Sequence, residues 1–255
     1  MKPVSRFASP ASLDAVMSRG WLAFEEEDLS GWVCRFSSGV TRRANSVLPL
    51  FGPPNTNGAI DEVEAAYRRR GLPPVFQISP NSLPHDLDSM LGARGYSLAS
   101  PTLVQVLKRE DFARAVVGEP DPGIVLQDAP SDAWLKALWE SEGPHSPAAQ
   151  AASVRILGNT PSVYASLVIE GSIHAIARMA LVEDLGGIYA VATREESRSR
   201  GYGRAVMRAL VAEAARRDLA ALWLQVMEEN SIAAGLYASL GFETVSRYHY
   251  RQLPA

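Results

Sequence analysis

Cysteine is nearly missing from this sequence: Cys34 is the only one in 255 residues. A disulfide within the chain is thereby excluded, and a cysteine-built zinc site is not expected. Long apolar runs are missing too, and none approaches the ~18 residues that a membrane-spanning helix needs. The first residues hold no basic segment followed by an apolar core, so no secretory signal is read and a cytoplasmic location is expected. Nor is there a surplus of positive charge. Lysine and arginine number 25 against 28 aspartates and glutamates, for a formal net charge of −3. That balance offers no basic excess to hold nucleic acid, and the short cluster Arg68–Arg69–Arg70 reads as the solvated end of a helix. The histidines are His85, His145, His174 and His249. They fall in no H-E-x-x-H or comparable spacing, so no metal site is expected.

What is there is the composition of a folded, soluble chain, with 47% hydrophobic and 21% charged residues. The length suits one large domain or two of ordinary size. Two mixed α/β halves are legible, joined across Arg109 to Gly123, where Gly118, Pro120, Pro122 and Gly123 suggest a linker. The boundaries expected are 1–110, a linker at 111–123, and 124–255. In the first half, Ser12 to Arg19 reads as a short helix with a serine cap. Trp32 to Phe36 and Ala44 to Phe51 read as strands around a turn at Ser38–Gly39. Ile60 to Arg70 is a helix with Asp61 and Glu62 in its first turn. Pro74 to Ile78 is a strand, Asp86 to Ala93 a helix stopping at Gly95, and Thr102 to Leu107 a strand. The second half runs from a strand at Ile124 to Leu126 through helices at Asp132–Glu142 and Pro147–Leu157. A β-hairpin follows, Ser162 to Ile169 and Ile173 to Val182, around Glu170–Gly171. Then come a strand at Gly187 to Thr193, a helix at Gly203 to Arg217, a strand at Ala221 to Val226, a helix at Ser231 to Leu240 and a last strand at Phe242 to Arg251.

The stretch that carries chemistry is Val191 to Ala205, VATREESRSRGYGRA. A strand ends, a polar loop follows, and Gly201-Tyr202-Gly203 opens a helix. The first amides of a helix are unpaired donors at the positive end of its dipole, a place suited to phosphate oxygens. Glycine lets such a group approach the backbone, and Arg198, Arg200 and Arg204 add positive charge. The helix is amphipathic, with Val206, Leu210 and Ala214 on one face beside Met207 and Val211. A dinucleotide fingerprint would want a third glycine at 206, which is valine, so a nicotinamide or flavin reading loses.

Arg198-Ser199-Arg200-Gly201-Tyr202-Gly203 resembles the [Q/R]-x-x-G-x-[G/A] signature of the GNAT superfamily of N-acetyltransferases. Leu222 to Val226, Asn230, and Leu236-Tyr237-Ala238-Ser239-Leu240-Gly241-Phe242 resemble that family's next blocks in order and spacing. The likeness covers roughly residues 124–255. It implies an α/β fold with a mixed, mostly antiparallel central sheet flanked by helices, and acetyl-CoA as co-substrate without a metal. Arg198, Ser199, Arg200, Gly201, Tyr202, Gly203 and Arg204 would hold the pyrophosphate. The backbone of Val191, Ala192 and Thr193 would pair with the pantetheine arm, in a gap between splayed strands at Gly187–Thr193 and Ala221–Val226. Asn230 would touch the coenzyme while capping its helix. Tyr237 would protonate the departing thiolate, where its bland alternative is a packing tyrosine on an apolar helix face.

The likeness fails at the general base. Relatives carry a glutamate where Gly187 stands, or one where Gln225 stands. Glu183, Glu140, Glu142 and His145 remain candidates, each with a solvated surface role as the alternative, and a low-pKa amine or a water chain would need none. The first half resembles a degenerate GNAT fold: Leu87 to Tyr96 is faintly similar to Leu236 to Phe242, yet only Gly58 precedes the helix at Ile60, so no coenzyme is expected there. Thr41 to Ser46 could line an acceptor cleft. The resulting expectation is acetyl transfer to a primary amine by direct attack in a ternary complex, since Cys34 lies far from the loop in sequence. The acceptor would be a small molecule or a peptide, the latter suggested by the resemblance of the Trp223 to Tyr237 block to ribosomal-protein acetyltransferases. No nucleic acid or membrane partner is expected, and a homodimer is one assembly the reading allows. The competing reading is an acyl-CoA-binding sensor or structural protein without turnover.

Overall fold

Alternating apolar residues at Trp32, Cys34 and Phe36 make β2 (Trp32–Phe36) bury one face. It pairs antiparallel with β1 (Glu25–Leu29) across the Ser30–Gly31 turn, where both φ angles are positive. This computed structural model describes residues 10–116, 118, 121–143 and 145–253. They form two compact units: 1–103 with 227–229 and 246–255, and 104–226 with 230–245.

The first unit opens with α1 (Pro10–Gly20), which begins before Ser12. Beyond β2, a 3-10 turn at Arg42–Ala44 leads into β3 (Val47–Leu48), so the strand expected over Ala44 to Phe51 is cut to two residues. Asn45 is the cause: its side chain accepts from the amides of Ser37 and Gly39 and donates to the carbonyls of Val40 and Thr41, which curls the chain. Next come α2 (Thr56–Arg69) and β4 (Val75–Ile78). The cap of α2 is Asn55, whose side chain accepts from the Gly58 amide at 3.1 Å; Asp61 and Glu62 therefore lie past the first turn, and Gly58 lies inside the helix. After α3 (Leu87–Ala93), β5 (Ser97–Lys108) is longer at both ends than Thr102 to Leu107. The strand order is β1-β2-β3-β4, closed by the end of the last strand, β11 (Glu243–Gln252), with Tyr250 opposite Gln77. Trp32, Phe36, Phe76, Ile60, Tyr67 and Leu91 meet in its core.

Asp88 of α3 ties this sheet to its helix layer. Its carboxylate accepts from Arg251 at 2.7 and 3.2 Å and shares a 2.7 Å bond with His249. The Arg251 bonds, then His249, hold its pKa below the usual aspartate value. A depressed pKa means stability that is present above the unfolded-state pKa and lost as pH falls through the folded one. Asp88→Asn should thus cost about 1 kcal/mol at neutral pH, the carboxylate being partly solvent-screened, and nothing once Asp88 is protonated. Melts at neutral and strongly acid pH check this; an equal penalty at both would contradict it.

In the stretch 109–123 lie a 3-10 turn at Arg109–Asp111 and α4 (Phe112–Ala115), with Phe112 and Ala115 buried. Pro120 lies outside the described residues. The second unit continues with β6 (Ile124–Gln127), α5 (Asp132–Glu142), α6 (Pro147–Gly158), β7 (Ser162–Ile169), β8 (Ser172–Val182) and β9 (Leu185–Thr193). It ends with α7 (Tyr202–Arg216), β10 (Ala221–Met227), α8 (Ser231–Ser239) and the start of β11. The pairs β6–β7, β7–β8 and β8–β9 are antiparallel and β9–β10 is parallel. Mixed, mostly antiparallel pairing with flanking helices is the architecture the sequence suggested. The apolar stripe of α7, Val206, Met207, Leu210, Val211 and Ala214, is fully buried. Trp134 of α5 packs edge-on against Tyr164 and donates to the Ala165 carbonyl at 3.0 Å. No helix among the described residues is long and apolar enough to cross a membrane.

Candidate active site

The parallel ladder between β9 and β10 stops early. Leu185 to Ile188 pair with Ala221 to Leu224, and no pair joins the rest of the two strands among the described residues. A bulge in β9 accounts for the break: Ile176 faces Ala192 and Arg178 faces Tyr189, so the single residue Ala177 stands against Ala190 and Val191. Ala190 takes a φ of 52°, a left-handed conformation uncommon for alanine. A bulge adds local twist, and β9 leaves β10 while it keeps its ladder to β8. The edge of Val191, Ala192 and Thr193 that faces β10 thus has no ladder partner, and all three residues are half-buried.

At the end of β9 the chain turns through a 3-10 segment, Glu195–Ser197, into α7. Gly201 caps that helix with φ 81° and no side-chain bond, and the first intrahelical bond runs from Ala205 to Gly201. The amides of Tyr202, Gly203 and Arg204 therefore have no acceptor within the helix. Arg198, Ser199, Arg200, Gly201 and Arg204 are exposed, while Tyr202 and Gly203 are half-buried. A Cβ on Gly203 would stand 3.2 Å from Thr193 Oγ1 and 3.5 Å from Leu236, so the glycine brings loop, β9 and α8 together.

His174 underlies this loop. Its Nδ1 shares a 2.7 Å hydrogen bond with buried Ser197, its ring meets Tyr202 edge-on at 5.8 Å, and its carbonyl accepts from the Arg194 amide at 3.0 Å. The sequence reading passed over it, because Ser197 is 23 positions away and no motif links the two.

A cleft of about 650 Å³ opens beside the loop, lined among others by His174, Ala192, Thr193, Arg198, Glu140 and Glu142. Glu140 is bonded to Arg194 at 3.2 Å, and Glu142 lies 3.2 Å from His145. Glu183 sits exposed in the β8–β9 turn and is not among the residues lining this cleft. Gly187 has no room for a side chain at all: a Cβ there would stand 2.4 Å from the Trp223 ring and 2.7 Å from that of Tyr189. Those rings are buried, and Trp223 Nε1 donates to the Tyr189 hydroxyl at 3.3 Å.

Asn230 caps α8, accepting from the Ala233 amide at 3.0 Å. Tyr237 is 8% exposed and its ring meets that of Phe242 edge-on with the ring centres 6.1 Å apart, so it does pack. Its hydroxyl makes no hydrogen bond among the described residues, and burial pushes its pKa up to about 12. The phenol thus holds its proton at neutral pH and has no protein acceptor among the described residues. Cys34, in the first unit, is 0% exposed with its thiol pushed up to about 12 by burial, then by Glu27.

Residues 11–251 match the model of a family described as "Probable histone acetyltransferase Rv0428c C-terminal". The chain belongs to this acetyltransferase family, within the GNAT superfamily. It is 27% identical over 245 residues to "Uncharacterized N-acetyltransferase YobR" of Bacillus subtilis (strain 168), covering 94% of this chain and 96% of that one. The "[Ribosomal protein bS18]-alanine N-acetyltransferase" of Escherichia coli (strain K12) is 35% identical over 86 residues, 33% of this chain and 58% of that protein. Among solved structures, a GCN5-related N-acetyltransferase from Kribbella flavida shares the fold at a TM-score of 0.72, with 15% identity over 96% of this chain and 95% of that one. GNAT members use acetyl-CoA, and a loop with a glycine cap, three arginines and free helix amides suits the diphosphate of such a molecule.

Proposed function

We propose that this chain transfers an acetyl group from acetyl-CoA to the primary amine of an acceptor, by direct attack in a ternary complex. The observation that carries the reading is the early end of the β9–β10 ladder beside an exposed, glycine-capped helix N-terminus. Arg198, Ser199, Arg200, Gly201, Tyr202, Gly203 and Arg204 hold the pyrophosphate in this reading. Val191, Ala192 and Thr193 offer backbone to the pantetheine arm as a strand would, and Asn230 contacts the coenzyme as it caps α8. Acetyl-CoA supplies an activated thioester. Tyr237 keeps its proton at neutral pH and gives it to the departing sulfur. Cys34 is too deeply buried to form a thiolate, which leaves the amine itself as the attacking group. The functional division proposed is 1–110 as a GNAT-like unit without a coenzyme, 111–123 as the join and 124–255 as the catalytic part.

The deprotonating group is Glu142 or Glu140, both lining the cleft, or no protein group if the amine arrives neutral. Acceptors follow two lines, small amines and protein N-termini, the second supported by the likeness to the bS18-alanine enzyme. Thiol release from acetyl-CoA, measured across polyamines, aminoglycosides, amino acids and basic peptides, tests the reading. An acceptor-dependent rate with an acetylated product supports it. A second reading, an acyl-CoA sensor without turnover, is favoured by the closed position at Gly187; it predicts binding of acetyl-CoA and no acceptor-dependent thiol from any amine.

His174 is read as a positioning residue for the loop. His174→Ala removes one 2.7 Å bond and one ring contact, and should raise KM for acetyl-CoA about five- to tenfold with kcat nearly unchanged. A fall in kcat at constant KM would contradict that role.

A further inference from the structure

One flank of α7 turns away from the sheet and leaves space beside it. Gly201, Arg204, Ala205, Arg208, Ala209 and Ala212 recur at three- and four-residue steps, so they share one side of the helix. Against that flank stand Val116, at the end of α4, and the turn Asp121 to Ile124. Between helix and turn lies a cavity of about 430 Å³, and its lining belongs to the second unit. Small-molecule sites have this size and pair an apolar lining with a few placed polar groups.

Both walls are fixed. Phe112 and Ala115 anchor α4 by burial. The turn is closed by the Ile124 amide on the Asp121 carbonyl and by the Gly123 amide on the Asp121 carboxylate, each at 3.0 Å. Gly123 presses onto β7: its carbonyl accepts from the Val168 amide at 2.8 Å, and a Cβ there would stand 2.4 Å from the Val168 carbonyl oxygen. The floor stays open because α7 presents only alanine at 205, 209 and 212, while Val116, Pro122 and Ile124 make the apolar walls. Positive charge is in excess. Arg204 and Arg208 line the cavity against the single carboxylate of Asp121, and neither forms an ion pair with it among the described residues. Arg208 is held in place: its Nη2 donates to the Val116 carbonyl at 3.3 Å, and its guanidinium lies on Gly118, where a Cβ would stand 3.1 Å from Nη2. Its Nε and Nη1 make no hydrogen bond among the described residues and are not sealed from solvent. A positioned guanidinium with N–H groups to spare suits a carboxylate.

We infer that this cavity binds a small carboxylate with an apolar body. The carboxylate meets Arg208 and Arg204, and the body lies on Ala205 and Ala209 between Val116, Pro122 and Ile124. Gly201 and Arg204 also belong to the proposed coenzyme loop. On that reading, a carboxylate that engages Arg204 withdraws positive charge from the diphosphate, so a filled cavity weakens acetyl-CoA binding.

The test is an NMR titration of the full chain with sodium octanoate, beside sodium acetate and octylammonium chloride. Octanoate should bind saturably, with a dissociation constant of about a millimolar or tighter, and the other two should not. Arg208→Gln should weaken octanoate about fivefold or more, and Ala209→Phe, which fills the floor, about tenfold or more; if one variant does not fold, the other decides. Saturating octanoate should raise the acetyl-CoA dissociation constant about threefold in wild type and, at the same concentration, not in the variants. Absence of saturable octanoate binding to wild type overturns the proposal, as does octylammonium binding equally well. Octanoate affinity unchanged in the folded variants places the acid elsewhere and overturns it too. Acetyl-CoA affinity unmoved by bound octanoate overturns the coupling through Arg204. Failure of wild type to bind acetyl-CoA at all strikes instead at the coenzyme reading, and the octanoate result still decides the cavity.

Discussion

Replacing Tyr237 by phenylalanine should lower kcat for acetyl transfer by about 10²- to 10³-fold and leave acetyl-CoA affinity essentially unaltered. The ring would stay where it is, since it packs at 8% exposure against Phe242 and phenylalanine keeps those contacts. What leaves is the hydroxyl, which makes no hydrogen bond among the described residues, so no structural bond is lost with it. A pKa near 12, raised by burial, keeps that proton in place at neutral pH and makes it available at the sulfur. The sign has a second consequence: activity should show no alkaline loss from Tyr237 until the pH nears that value. Pre-steady-state thiol release with a saturating amine, together with a binding isotherm for each variant, measures both quantities. Equal kcat in wild type and variant would make Tyr237 a packing residue only.

Glutamate at Gly187 should destabilise the second unit rather than supply a general base. Its Cβ would stand 2.4 Å from Trp223 and 2.7 Å from Tyr189, inside two buried rings. Overpacking of that kind costs about 1–3 kcal/mol, and a buried carboxylate without a partner adds several more. A total of about 4 kcal/mol or more would lower Tm by roughly 8–16 °C in a chain of this size. Trp223→Ala made together with Gly187→Glu frees the space, and part of the loss should return. A Gly187→Glu variant as stable as wild type, and more active, would show that the tryptophan yields and that the missing base is only a matter of sequence.

These two positions show what the sequence singled out and what it left unexplained. The helix that carries Tyr237 was legible because Asn230 signals its cap and Gly241 its end. Most elements of the second half lie within one or two residues of expectation, for example Asp132–Glu142 and Ser162–Ile169 at both ends, because amphipathic periods and turn residues agree there. Glu25–Leu29 escaped notice because EEEDL has no apolar alternation; it forms an edge strand held by its hairpin partner. Asn45 shortened β3 through four side-chain bonds that no propensity anticipates. The bulge at Ala190 was equally silent, because alanine gives no sign of positive φ and the cause lies in the mismatch with β8. Gly187 could be seen as a missing glutamate, but its reason is a tryptophan that packs over it from the next strand of the sheet. His174 gave no signal in the sequence because its partner Ser197 arrives only when β9 and its loop fold back along β8.

The central claim is that unpaired helix amides and three arginines grip the diphosphate of an acyl-CoA beside a parted pair of strands. Calorimetry with coenzyme A and with pantetheine, which shares the thiol arm but lacks the diphosphate, tests it most directly. The account predicts micromolar affinity for coenzyme A and a loss of about 100-fold or more for pantetheine. Equal affinity for the two, or no coenzyme A binding at millimolar concentration, would contradict it.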